Sequence, residues 1–203
     1  AAPDVIPITT EVEKPDKKPS QATALVDFVN GVDELWHTPD GDAFATITVG
    51  EHREHHRVRS KAFRTWLSRQ YYVTQGNVPG GQALTDAINL IDGMAMFDGQ
   101  EHPACVRLGE HGGKVYVDLC NADWQVVEID ADGWRLTDTP PVRFRRVKAM
   151  GTLPTPVAGD VKSLREFINV DDESWPLVVA WAVAAMRPVG PYPVLNLHGE
   201  QGS

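Results

Sequence analysis

The chain's last residues read "PVLNLHGEQGS", an apolar run followed by Gly199, Glu200, Gln201, Gly202 and Ser203. These residue types suit a phosphate cradle. Glycines let a backbone curl until successive N–H groups face an anion, and a short apolar run ahead of them reads as a buried strand. A complete loop of this kind is a strand, then Gly-x-x-x-x-Gly-Lys-Ser/Thr, then a helix, with the lysine as a mobile positive charge. The chain supplies the strand and the first five loop positions, from Gly199 to Ser203. The expectation is that Gly-Lys-Ser or Gly-Lys-Thr follows in a longer protein. The plainer alternative is a tail with a chance glycine.

A dense cluster of metal-capable side chains is "EHREHH": Glu51, His52, Glu54, His55 and His56. On a strand, His52, Glu54 and His56 share one face. The spacing is not the helical His-Glu-x-x-His of zinc hydrolases, and no cysteine pair assists. A solvated hairpin tip holding no metal is expected. From Arg53 to Arg69, six basic residues (Arg53, Arg57, Arg59, Lys61, Arg64 and Arg69) stand against one acid, Glu54. A second basic run is Arg143, Arg145, Arg146 and Lys148. With Trp66, Tyr71 and Tyr72 nearby, such residues hold phosphates and stack bases. The candidate nucleic-acid contacts are Arg57, Arg59, Lys61, Arg64, Arg69, Arg143, Arg145 and Arg146. The alternative is a charged exterior face balanced by Asp and Glu elsewhere. No Ser/His/Asp or Cys/His set stands out, so no catalytic residue is assigned.

The elements that must position these residues follow from periodicity. Residues 1–20 hold four prolines and several charges without a sustained period, the composition of a flexible linker. "SQATALVDFVNGVDELWH" reads as a helix capped by Ser20, with Leu25, Phe28, Val29, Val32 and Leu35 at helical spacing. A turn at Pro39, Asp40 and Gly41 feeds a strand in which Phe44, Thr46 and Thr48 alternate with Ala45, Ile47 and Val49. "SKAFRTWLSRQYY" is a second helix capped by Ser60, with Phe63, Trp66, Leu67 and Tyr71 on one side. "NVPGG" breaks it, and "QALTDAINLIDGMAMF" is a third, with Leu84, Ile88 and Ile91 as its stripe.

From His102 to about Arg146 the period becomes two. "ACVRLGEHGGKVYVDLC" reads as a hairpin around "EHGGK", with Val106, Leu108, Val115, Val117 and Leu119 on one face. Placing Arg107 opposite Asp118 makes it that carboxylate's expected partner. It also brings Cys105 and Cys120 opposite each other, either in cross-strand contact or as a reduced structural pair. "WQVVEID", "ADGWRLTD" and "PVRFRRV" read as a continuing meander. "MGTLPTPVAGD" is a second linker. It leads to a helix with Leu164, Phe167 and Ile168, a buried apolar helix from Ser174, and the terminal strand from Pro193 to Leu197. The expected fold class is α+β: an accessory domain over 21–149, then a linker, helices and the first strand of an ATPase domain over 150–203.

The chain has 203 residues, 42% hydrophobic and 23% charged, enough to bury a sizeable core. Its net charge of -9 argues against a dedicated nucleic-acid coat while leaving room for a local basic face. Two cysteines make no disulfide framework, no stretch approaches a membrane span, and no secretory signal is visible. A cytoplasmic protein without membrane contact is expected.

The string "MRPVGPYPVLNLHGEQGS" resembles the entry into the phosphate loop of P-loop ATP-binding proteins of phages and other mobile elements, of primase–helicase type. "ELWHTPDGDAFATI", "RSKAFRTWLSRQYY", "GKVYVDLCNADWQVVEIDADGW" and "PPVRFRRVKAM" are similar to the segment that precedes the ATPase there. The resemblance spans roughly residues 30 to 203. It implies nucleotide contacts at Gly199, Glu200, Gln201, Gly202 and Ser203, ATP and Mg2+ as ligands of the full-length parent, and neither for this fragment. It further implies single-stranded or forked DNA as a partner, and homo-oligomers through the ATPase domain. The loop lysine and everything after it depart from the pattern. A protein-interaction or oligomerisation module without nucleic-acid or catalytic role is the competing expectation.

Overall fold

A computed structural model describes residues 19–199 and has an α+β fold. Its first half is a four-stranded sheet covered on one face by three helices. Ser20 accepts the Thr23 N–H at 3.1 Å and caps α1 (Gln21–Asp27). The expected helix does not run on to Leu35. A 3-10 turn, Phe28–Gly31, ends it, and β1 (Glu34–His37) follows. A seven-residue helix is weak by itself. The sheet wins because Trp36 lies opposite Phe44 on the neighbouring strand and stacks on it at 4.4 Å.

β2 (Ala43–Val49) and β3 (His52–Arg57) form the expected hairpin, and β4 (Gln100–Glu101) joins parallel to β1, giving the order β3-β2-β1-β4. α2 (Lys61–Gln75) starts at Ser60, whose hydroxyl accepts the Phe63 N–H, and stops at left-handed Gly76. α3 (Gly81–Phe97) carries the predicted stripe. Ala43, Ala45 and Ile47 meet Phe63, Leu67 and Tyr71 of α2, and Leu84, Ile88 and Ile91 of α3, in the main core. Gly99 lets α3 turn directly into β4, since a Cβ there would collide with the carbonyl oxygens of Ala95 and Leu35.

The second half is built on an antiparallel meander: β6 (Leu108–His111), β7 (Lys114–Asp118), β8 (Val126–Asp130) and β9 (Gly133–Thr137). Gly112 and Gly113, with φ of 59° and 75°, make the tight β6–β7 turn. Leu108, Val115, Val117 and Leu119 share a face as expected, whereas Val106, expected with them, is exposed and outside that cluster. "PVRFRRV" does not continue the meander. Pro140 and Pro141 offer no N–H to a ladder, and β10 (Arg143–Phe144) instead pairs parallel with β5 (Ala104–Cys105). Phe144 then packs with Tyr116, Val126 and Val142 on the meander's other face. Both cysteines are free thiols. Cys105 joins the Phe144 cluster, whereas the Cys120 Sγ lies 3.8 Å from the Met150 carbonyl.

Residues 151–160 have no regular structure, in keeping with linker composition, and Leu153 N–H donates to the Leu119 carbonyl. The expected helix after them is a 3-10 turn, Val161–Glu166. The apolar helix α4 (Trp175–Ala185) forms but is not buried. Val178 is its one buried residue, and Leu177 is 71% exposed. Pro193–Leu197 has no ladder partner among the described residues, and Val194 is 92% exposed, so the expected buried strand is an uncovered segment here. No helix of the described residues is long and apolar enough to cross a membrane.

Candidate nucleic-acid interface

The basic residues separate by what they touch. Along α2, Lys61, Arg64, Arg69 and Tyr72 are exposed; Lys61, Arg69 and Tyr72 lie away from Phe63, Leu67 and Tyr71, and Arg64 flanks that buried stripe. The helix, "KAFRTWLSRQYYVTQ", contains no acid. Lys61, Arg64 and Arg69 have no ion pair among the described residues. The flanking arginines differ. Arg59 reaches across to α3, donating to Asp92 at 2.9 Å and Asn89 at 3.2 Å. Arg57 pairs with Asp42, and Arg53 with Asp33 at 3.2 Å.

Two of the four members of the second basic run, Arg143 and Arg146, are spent at the junction of the two halves. Arg143 donates from Nε and Nη2 to the Glu34 carboxylate, at 3.1 and 2.7–2.8 Å. His102 Nε2 lies 3.3 Å from the same carboxylate. Arg146 grips Asp118 through Nε at 3.0 Å and Nη2 at 2.7 Å, and donates from Nη1 to the Asn121 carbonyl. Asp118 is 1% exposed and also accepts the Cys120 N–H. Arg107, its expected partner, donates instead to the Asp118 and Gly151 carbonyls. The reason is geometric: the Asp118 carboxylate points at the chain returning through Arg146. Arg145 has no carboxylate partner among the described residues.

Two residues unmarked by the sequence organise this junction. Trp124 has φ of 53°, a left-handed backbone that is costly for a bulky residue. Asn121 holds that turn, accepting the Gln125 N–H and donating to the Gln125 side chain, both at 2.9 Å. The Trp124 ring lies beneath the Arg146 guanidinium at 3.8 Å and meets His55 edge-on. His55 sits behind Thr46. The Trp36 indole can only donate, and it gives its N–H to Thr46 Oγ1 at 3.0 Å. The same Thr46 hydroxyl hydrogen-bonds His55 Nδ1 at 2.9 Å. Burial first, then the positive charges of Arg143, His56, Arg53 and Arg146, push the His55 pKa down to about 4. The alternation of "NADW" gave no sign of this strained turn.

The His52, Glu54 and His56 triplet does share a face, as predicted. It lies half-buried along β3 rather than at a solvated tip, because the turn itself falls at Gly50 and Glu51. Both imidazoles bond Glu54, at 3.1 and 2.6 Å. Those bonds, chiefly that of His56, hold the Glu54 carboxyl below its usual range. Among the described residues, no group of three His, Cys, Asp or Glu side chains is placed to hold a metal.

Two cavities flank the His55 ring. One, about 210 Å3, is lined by Glu34, Thr46, Arg53, Trp124, Arg143 and neighbours. The other, about 200 Å3, opens beside Ser60 at the start of α2. Of the expected nucleotide loop, Gly199 is described, whereas Glu200, Gln201, Gly202 and Ser203 lie outside the described residues. Compared with protein-family models, curated proteins and solved structures, the chain matches none.

Proposed function

We propose that this chain is the accessory region of a P-loop ATPase of a phage or mobile element, of primase–helicase type. Its body holds single-stranded or forked DNA beside the motor. The DNA half rests on one observation, the acid-free exposed face of α2 carrying Lys61, Arg64, Arg69 and Tyr72 in a chain of net charge -9. Unpaired cations with an aromatic ring among them suit a strand's phosphates and bases. The ATPase half rests on the resemblance of "MRPVGPYPVLNLHGEQGS" to a phosphate-loop entry. In that reading Mg-ATP binds only the longer protein, whose loop lysine and Ser/Thr complete the cradle.

The DNA half is tested by fluorescence anisotropy with a labelled oligothymidylate across a salt series. The triple variant Lys61→Glu, Arg64→Glu, Arg69→Glu should abolish binding without lowering the melting temperature, because these side chains are exposed and unpaired. Wild-type binding absent at low salt removes the DNA half. The ATPase half is read from the codons after Ser203: a glycine, then lysine, then serine or threonine is expected, and their absence overturns it.

A second reading is a protein-interaction or oligomerisation module. The uncovered apolar side chains of α4 and its surroundings favour it, Leu177, Val183 and Phe167 among them. Light scattering across a concentration range checks it. A monomer at every concentration removes self-association.

A further inference from the structure

We infer that the 200 Å3 cavity at the start of α2 is a binding site for a phosphate group, which on the DNA reading above is one phosphodiester of a bound strand. Its polar lining is His55, His56, Arg57, Ser60, Arg145 and Arg146, with no carboxylate among the lining residues. Small-molecule sites occupy roughly 300–1,000 Å3, so the space suits one compact group rather than a whole nucleotide.

The three arginines are not equivalent. Arg57 and Arg146 already answer to Asp42 and Asp118, which lie outside the cavity. Arg145 answers to none. Its backbone N–H donates to the Cys105 carbonyl at 2.8 Å, while its guanidinium has no hydrogen bond or ion pair among the described residues, although the residue is half-buried. Arg145 also lines the neighbouring cavity with Asp40 and Asp42, yet forms an ion pair with neither. Those unpaired donors are open to an anion, and a phosphate engages a guanidinium with paired, charge-assisted hydrogen bonds.

The helix start adds to this. The Ser60 hydroxyl is occupied by the Phe63 N–H. The amides of Lys61 and Ala62 have no acceptor within the helix, and Ala62 lines the cavity. A helix of 15 residues presents partial positive charge at this end. Burial first, then the positive charges of Arg143, His56, Arg53 and Arg146, hold the His55 ring beside the cavity neutral.

The test uses the full chain with two probes, a labelled oligothymidylate by anisotropy and inorganic phosphate by calorimetry. Arg145→Gln should weaken both about tenfold, and should lower the slope of log K against log salt for the oligomer by about 0.7. Arg145→Lys should restore much of the affinity. Lys162→Gln, the same charge change outside the cavity, should change neither. Because the Arg145 side chain makes no hydrogen bond or ion pair among the described residues, the urea midpoint of Arg145→Gln should match wild type, which separates lost binding from lost folding. Phosphate binding that depends on Arg145, without oligomer binding, supports the site as one for free phosphate and removes the DNA reading. Oligomer binding indifferent to Arg145→Gln overturns the site and leaves the DNA reading standing. Binding of neither probe at low salt overturns both.

Discussion

Asp118→Asn tests whether the junction is held by a buried charge pair. The substitution removes the charge and keeps the shape. In the native chain Asp118 is 1% exposed and Arg146 15% exposed, and two donors of the guanidinium face two carboxylate oxygens. An asparagine oxygen can still accept from Cys120 N–H and from one arginine nitrogen. Its NH2 must then face the other arginine nitrogen, donor against donor. Breaking a buried pair by removing one partner costs about 3–5 kcal/mol, because the remaining charge stays buried. Here Arg146 keeps the Asn121 carbonyl and the Trp124 ring, so the lower end applies, about 3 kcal/mol.

With a urea m-value of about 2 kcal/mol/M, the midpoint should fall by about 1.5 M. Tryptophan fluorescence of the full chain reads this directly. A double-mutant cycle with Arg146→Met should show strong coupling, since removing both charges together leaves neither unpaired. A midpoint shift below about 0.5 M, near 1 kcal/mol, would refute the reasoning. The pair would then behave as a solvated surface pair, and Arg146 would be free to serve a ligand.

His55 predicts a pH dependence of opposite origin to that of a salt bridge. Its folded pKa of about 4 lies below the ordinary 6.5, so between those values the unfolded chain binds the extra proton. The contribution is full above pH 6.5 and is lost progressively down to pH 4, about 3 kcal/mol in all. His55→Gln should flatten that part of the stability profile measured by urea midpoints, and an unchanged slope would show the ring is solvated. On the proposed ATPase reading, the 203-residue chain should show no turnover in a phosphate-release assay, because that reading places the loop lysine and the magnesium-binding hydroxyl in the longer protein. Measurable turnover would place an active site inside the α+β body.

The legible parts of the fold were those written locally. α2 and α3 combine a 3.6-residue stripe with a serine cap or a glycine stop, and the β6–β7 hairpin has Gly112 and Gly113 at its turn. The misread parts depend on partners distant in sequence. β1 followed a helical spacing through Leu35, and its strand state comes from Phe44 and β4. β10 looked like one more meander strand until its pairing with β5 is seen. α4 and the run after it are apolar enough to suggest burial, yet among the described residues Val178 is the one buried residue of α4, and Leu177, Val183 and Val194 stay exposed. The candidate site divides along the same line. A sequence displays charge before pairing, and Arg143 finds Glu34 across 109 residues. Arg146 finds Asp118, and Arg59 finds Asp92. Within one run, "RFRR", the adjacent Arg145 and Arg146 take opposite fates: Arg146 finds Asp118, and Arg145 finds no carboxylate among the described residues. The free charge is what counts for a ligand. It resides at Lys61, Arg64, Arg69 and Arg145, which pair with no carboxylate among the described residues. The first three share α2, and Arg145 joins them only because residues 145–147 of the second half fold back onto the cavity where that helix begins.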